Sequence, residues 1–336
     1  MQVERASLEF SLVGKWTYQK GDPTIGSYTC LISGFEIEGI YWIEMAVVEG
    51  KVKVEDEVKV DKVKVDESGA GEMQKAEVLY GFSRKKGTKR KKTSSQQIED
   101  FHVAKVAEVD GQEIGLFAVM DGHSGPHVAK YLTHSLFELI TRHPRFSSEP
   151  QNAIVDAFHE IDKRILEMAD SNPKWKAGST ATTALLLDSG TRLIVANIGD
   201  SRAVLSRGKA VDLSVDHEPQ KPEEKEMVES KGGTVSRSVA GIYRVDRRLA
   251  MSRAFGDVEI KEHLSVHPDI WDEDLLEDDE FFVIASDGLW NVMSSQEVVD
   301  YIQATPGNAE EVAQALVTAA VKRRSTDDIS CLVVFL

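Results

Sequence analysis

Cysteine is almost missing from this chain of 336 residues: Cys30 and Cys331 lie near its opposite ends. Two thiols so placed exclude a disulfide framework and zinc-type spacing, and both read as small buried hydrophobes. No apolar run reaches bilayer length and no N-terminal stretch has signal-peptide form, so the expected compartment is cytoplasmic, nuclear or both, with no membrane partner. Cationic charge is in deficit as well, since 40 Lys and Arg against 56 Asp and Glu leave a net charge of −16. That field repels nucleic acid, and it opposes any anionic substrate unless cations or a local basic patch reverse it. One such patch exists: Arg84, Lys85, Lys86, Lys89, Arg90, Lys91 and Lys92 run without an acid between Phe82 and Gln97. It reads first as a solvated loop, with a substrate-facing loop or a nuclear-import signal as the alternatives.

What is present is an ordinary globular composition, 41% apolar, enough for a sizeable core. In residues 51–67 valine alternates with charge, and the parity switches between Val60 and Val63. A hairpin or a charged segment fits that pattern better than one continuous strand. Residues 1–76 are therefore expected to be an N-terminal extension, whose Trp16, Tyr41 and Trp42 could belong to strands of its own or to an edge of the main sheet. Residues 77–336 are expected to be the main domain. Apolar runs at 182–187 and 192–198, split by Asp188-Ser189-Gly190-Thr191, predict a hairpin, and 203–206 predicts a third, neighbouring antiparallel strand. Ala309, Val312, Ala313, Leu316, Val317, Ala320 and Val321 recur at helical spacing behind an Asn308/Glu311 capping box. Weaker helical patterns cover 126–141, 152–169, 222–231 and 295–302. Together these predict an α+β layered domain with antiparallel sheet covered by helices.

Three apolar strands end in aspartate beside glycine: at Asp121-Gly122, at Gly199-Asp200 and at Asp287-Gly288. A fourth pair, Asp327-Asp328, precedes the last strand, and Glu99-Asp100 precedes another. One such aspartate is a routine turn former. Several converging from strands of shared sheets would repel one another, by roughly 4 kcal/mol for two charges about 4 Å apart at an effective dielectric near 20. Cations would be required, and carboxylate, carbonyl and water donors select hard ions such as Mg²⁺ or Mn²⁺ over zinc. The set holds enough oxygens for two ions sharing one carboxylate, a centre suited to in-line displacement at phosphorus by water. The stretch Gly122-His123-Ser124-Gly125 also mimics the nucleophile elbow of serine hydrolases, but the second glycine of that motif should stand where this chain has Pro126.

These residues resemble the metal-dependent serine/threonine phosphatases of the protein phosphatase 2C family, in a plant-like form. In order, the resemblance is carried by Ile98-Glu99-Asp100, Val119-Met120-Asp121-Gly122-His123, Gly178-Ser179-Thr180-Ala181 and Gly199-Asp200-Ser201-Arg202. It continues through the nonapeptide from Leu249 to Asp257, then Ser286-Asp287-Gly288-Leu289-Trp290 and Thr326-Asp327-Asp328-Ile329-Ser330. It implies an α+β sandwich of two antiparallel β-sheets flanked by α-helices, phosphoprotein substrates, and two Mg²⁺ or Mn²⁺ ions at one end. By position, Asp121 would bridge the ions, Glu99 and the Gly122 carbonyl would hold one, and Asp287 with Asp327 the other. The resemblance further implies that Asp100 orients coordinated water, that Asp200 belongs to a looser metal position, and that His123 is the general acid.

The chain departs from the family pattern at three positions. Ser95 stands where the family often has a phosphate-binding arginine, with Lys91 and Lys92 the nearby cations that could replace it. Such a loss, about 1.5–3 kcal/mol, weakens turnover or binding roughly ten- to a hundredfold without abolishing metal chemistry. Asn291 replaces a common aspartate near the looser metal, and Arg247 a usual glycine. The rival expectation is a catalytically weak or inactive phosphatase-like binding protein.

Overall fold

The computed structural model describes residues 8–16, 28–37, 40–47, 66–73, 78–88 and 97–336, in two compact units divided between Val63 and Lys64. The first unit contains β1 (Leu8–Trp16), β2 (Tyr28–Ile37) and β3 (Ile40–Val47), an antiparallel sheet in that order. Residues 51–65, with most of the valine-and-charge alternation, lie outside the described residues, as do Lys89, Arg90, Lys91, Lys92 and Ser95.

The second unit opens with β4 (Asp66–Met73) and β5 (Val78–Lys85), antiparallel partners. Then come β6 (Asp100–Val109) and β7 (Gln112–His123), joined by a tight turn with Asp110 and Gly111 both at positive φ. Helices α1 (His127–Thr141) and α2 (Pro150–Ser171) follow, where helical spacing predicted them. The chain next forms β8 (Gly178–Ser179), β9 (Ala181–Leu187) and β10 (Arg192–Ile198), the last two being the predicted hairpin.

The third strand of that group departs from expectation. Gly199, at φ +100°, swings the chain away, and β11 (Arg202–Arg207) pairs with the other sheet instead of β10. Only glycine suits that bend, because a Cβ there would stand 2.4 Å from the Thr180 methyl. Beyond β12 (Ala210–Asp212), α3 (Pro222–Ser230) and the hairpin β13 (Val235–Arg237) with β14 (Tyr243–Val245) form an outlying lobe on its own small cluster of Val228, Val245, Leu249 and Met251. The remaining elements are β15 (Phe255–Gly256), β16 (Asp269–Asp274), β17 (Asp279–Ala285), α4 (Asp287–Trp290), α5 (Ser295–Ala304), α6 (Ala309–Lys322) and β18 (Ile329–Phe335).

One sheet runs β15-β8-β7-β9-β10-β16 with β6 on β7, and the other runs β12-β11-β17-β18-β5-β4. Period-two alternation explains the layering. In β7, Phe117 and Val119 pack toward Leu205, Phe282, Ile284 and Leu332 of the second sheet, while Leu116, Ala118 and Met120 pack toward Leu132, Leu136 and Phe158 of α1 and α2. In β17, Phe282 and Ile284 face the first sheet and Phe281 and Val283 face Val312 and Leu316 of α6. The fold is thus an α+β sandwich of two antiparallel sheets flanked by helices. Strands buried on both faces read as unbroken apolar runs, as these do. Cys331 is buried among them.

Candidate metal centre

Antiparallel pairing brings the acidic strand ends to one edge of the sandwich. Asp100 opens β6 directly opposite Asp121 near the end of β7. In the second sheet, Ala285 at the end of β17 pairs with Arg202 at the start of β11 and with Cys331 near the start of β18. Asp200, Asp287 and Asp327 therefore flank neighbouring strand ends. Glu99 and Asp100 are buried, while Asp121, Asp200, Asp287 and Asp327 are part-buried. The Glu99 carbonyl accepts from Gly122 N–H at 3.1 Å, and a Cβ on Gly122 would lie 2.5 Å from that oxygen. The close approach of the two strands thus demands glycine at 122.

Four of the predicted acids, drawn from both sheets, are felt at Asp121. Its carboxyl is held well above the usual carboxylate range, first by burial and then by the charges of Asp100, Asp287, Asp200 and Asp327. Burial likewise pushes Asp100 up to about 8, with Asp328 and Asp287 adding to the shift against a 2.7 Å hydrogen bond from Ser286 Oγ. Asp200 rises to about 7 through burial and then the charges of Asp287 and Asp216. Asp100 Oδ1 and Asp200 Oδ1 are closed to solvent and accept no hydrogen bond. Buried oxygens in that state are costly, and a hard cation is the partner they suit. Among the described residues no three Asp, Glu, His or Cys side chains close around one point as a ready-made cage. The donors present are carboxylate and carbonyl oxygens, the chemistry that suits a hard cation.

His123 lies beside this cluster. Its Nε2 is 2.7 Å from Asp257 Oδ2, and its Nδ1 is buried without a hydrogen-bond partner. Burial of the ring pulls its pKa down, but Asp257, then Asp200 and Glu99, outweigh that and leave it raised. His123 and Asp257 line a cleft of about 370 Å³, together with Lys176 and Arg248, both paired with Glu259. Among cations of the basic run, Arg84 reaches the centre's edge, donating to the Asp100 carbonyl at 3.1 Å and lying over the Phe101 ring.

Several residues that the sequence motifs contain without a stated role support the centre. Asp328 accepts from Gly87 N–H and Glu99 N–H, both at 2.8 Å, and so ties two segments together beside the acids. Ser286 accepts from Ser330 N–H while donating to Asp100. Thr180 Oγ1 accepts from Asp121 N–H at 3.0 Å. Asp257, in the Gly256-Asp257 pair, repeats the glycine-aspartate signature used elsewhere and was legible by that signal. At the departures, Asn291 Nδ2 donates to Asp287 Oδ2 at 2.9 Å, so amide replaces carboxylate as a neighbour that steadies Asp287. Arg247 adopts φ +62°, the left-handed backbone that a glycine would take without strain.

The family model for protein phosphatase 2C matches residues 84–329. The chain is 43% identical to probable protein phosphatase 2C 10 of Arabidopsis thaliana, over 80% of this chain and 91% of that protein. It is 45% identical to probable protein phosphatase 2C 62 of Oryza sativa subsp. japonica, over 76% and 86%. Among solved structures, a serine-threonine phosphatase 2C from Toxoplasma gondii superposes with a TM-score of 0.68 at 22% identity, over 77% of this chain and 94% of that one. A Caenorhabditis elegans sex-determining protein gives 0.65 at 24%, over 76% and 64%. At such identities these two structures speak to the fold alone.

Proposed function

Because the chain belongs to the protein phosphatase 2C family of protein serine/threonine phosphatases, we propose that it hydrolyses phosphoserine and phosphothreonine in proteins with two divalent ions, Mg²⁺ or Mn²⁺. The observation that carries this reading is the convergence on Asp121 of acids from both sheets, with the orphaned Oδ1 atoms of Asp100 and Asp200 beside it. When bound, the ions supply Lewis acidity, which lowers the pKa of water and neutralises phosphoryl oxygens. Asp121 would bridge them, Glu99 and the Gly122 carbonyl would hold one, and Asp287 with Asp327 the other. Asp100, steadied by Ser286, would orient the attacking water. Asp200 would belong to a further, looser position. His123 would hold the proton that the departing serine or threonine oxygen needs, since an alkoxide is a poor leaving group. The cleft beside His123 gives the flanking peptide a place to lie.

The test is phosphate release from a phosphoserine peptide with Mn²⁺ or Mg²⁺. Activity should vanish on chelation, and Asp121→Ala should lower kcat/KM by about a thousandfold or more, roughly 4 kcal/mol of transition-state stabilisation. A folded, metal-loaded protein that releases no phosphate would sink the enzyme reading. It would favour a binding protein instead, the alternative that Ser95 in the arginine position supports.

A further inference from the structure

His123 has two ring nitrogens in different circumstances. Nε2 sits 2.7 Å from Asp257 Oδ2, while Nδ1 is buried and unpartnered. The meeting point is built from three directions. Gly178 lies over it, where a Cβ would stand 2.1 Å from Asp257 Oδ2 and 2.3 Å from His123 Nε2. The main chain of Asp257 is fixed independently of its carboxylate: its N–H donates to the Ala177 carbonyl at 3.1 Å, and Gly256 N–H donates to Asp162 Oδ1 at 2.9 Å. Asp162 on α2 is itself held by part-buried Lys261 at 2.8 Å, whose Nζ also donates to the Ala254 carbonyl. Asp257 takes φ +55°, a left-handed backbone that a non-glycine residue keeps only where surroundings fix it.

We propose that Asp257 is a positioning residue for His123: it accepts the Nε2 hydrogen, fixes the ring plane, and leaves Nδ1 as the nitrogen that serves the leaving oxygen. This rests on the phosphatase reading above. In the step, the ester P–O bond breaks as water oxygen forms the new one. The departing serine or threonine oxygen takes the Nδ1 proton, the neutral ring keeps its Nε2 hydrogen on Asp257, and the proton lost by water restores Nδ1. Orienting an imidazole through a carboxylate on its other nitrogen is a general device of acid–base sites.

The experiment compares Asp257→Asn, Asp257→Ala, His123→Ala and the His123→Ala/Asp257→Asn double variant on two substrates. One is a phosphoserine peptide, whose alkoxide needs a proton. The other is p-nitrophenyl phosphate, whose phenolate leaves without one. Asp257→Asn should lower kcat on the peptide about ten- to a hundredfold, leave its KM unchanged, and alter p-nitrophenyl phosphate turnover less than about threefold. In the His123→Ala background it should have no further effect. In metal-free protein, the ring N–H proton of His123 should resonate downfield in the parent and lose that shift in Asp257→Ala. Equal losses on both substrates, additivity in the double variant, or no downfield signal in the parent overturns the inference while leaving the phosphatase reading standing. No turnover of either substrate by the parent removes that reading and this inference with it.

Discussion

At Gly178 the space for a side chain is already taken by the contact between His123 and Asp257. Gly178→Ala is expected to part those two groups and to cut turnover of a phosphoserine peptide at least tenfold, or roughly 1.4 kcal/mol, with a much smaller change in the thermal midpoint. Steady-state kinetics beside a melting curve checks both. Single residues of this kind set the limit of what sequence can tell. The acids at 99, 100, 121, 200, 287 and 327 stood out because carboxylates at the ends of apolar strands are a repeated and unusual pattern. The supporting roles of Asp328, Ser286 and Thr180 were not legible, because a hydrogen bond to a main-chain N–H or a neighbouring carboxylate leaves no periodic trace. Asp257 was visible in the pattern but its partner was not, since 134 residues separate it from His123.

At the level of elements, helices were the easiest to foresee, because caps and apolar stripes are local. Both halves of the Asn308/Glu311 capping box form, and Ser294 with Glu297 builds a second one ahead of α5. Asn308→Ala should cost about 1 kcal/mol of stability, read as a lower urea midpoint at unchanged slope. The predicted stripe of α6 holds through Ala320, but Val321 is exposed. The destination of β11 was harder to foresee. Apolar content specifies that a strand is buried, not which of two sheets it joins, and the choice is made by the bend at Gly199. The outlying lobe is fastened by ion pairs: Arg253 joins Glu224 of α3 to Asp269 of β16, and His217 Nε2 lies 3.1 Å from the same Asp269. The His217 hydrogen bond, with Arg253 beside it, holds Asp269 down to about 2, below its ordinary 3.8. A depressed carboxylate stabilises the fold fully above its unfolded pKa and loses that contribution as pH falls toward the folded value. Stability should therefore drop between about pH 4 and pH 2, and Asp269→Asn should flatten that limb of a pH–denaturation series.

For the molecule as a whole, the sandwich brings together functional groups that sequence keeps far apart. Asp100 and Asp121 come from one sheet, Asp287 and Asp327 from ends of the other, and Asp200 from the bend between β10 and β11 that carries the chain from the first sheet to the second. The gap between the two layers is filled by side chains such as Phe117, which meets Phe282 edge-on with ring centroids 5.7 Å apart, and fully buried Ala184. That filling acts as a gauge block: its thickness, near 10 Å for packed sheets in general, sets how far apart the acids of the two layers stand. Ala184→Leu, which touches no acid of the centre, should wedge the layers and raise the metal concentration needed for half-maximal activity several-fold, while Ala184→Ser, nearly equal in volume, should not. Metal titration of the two variants measures this. The calibre of the metal centre is thus machined into the hydrophobic interior, and an apolar residue far from the acids can retune it.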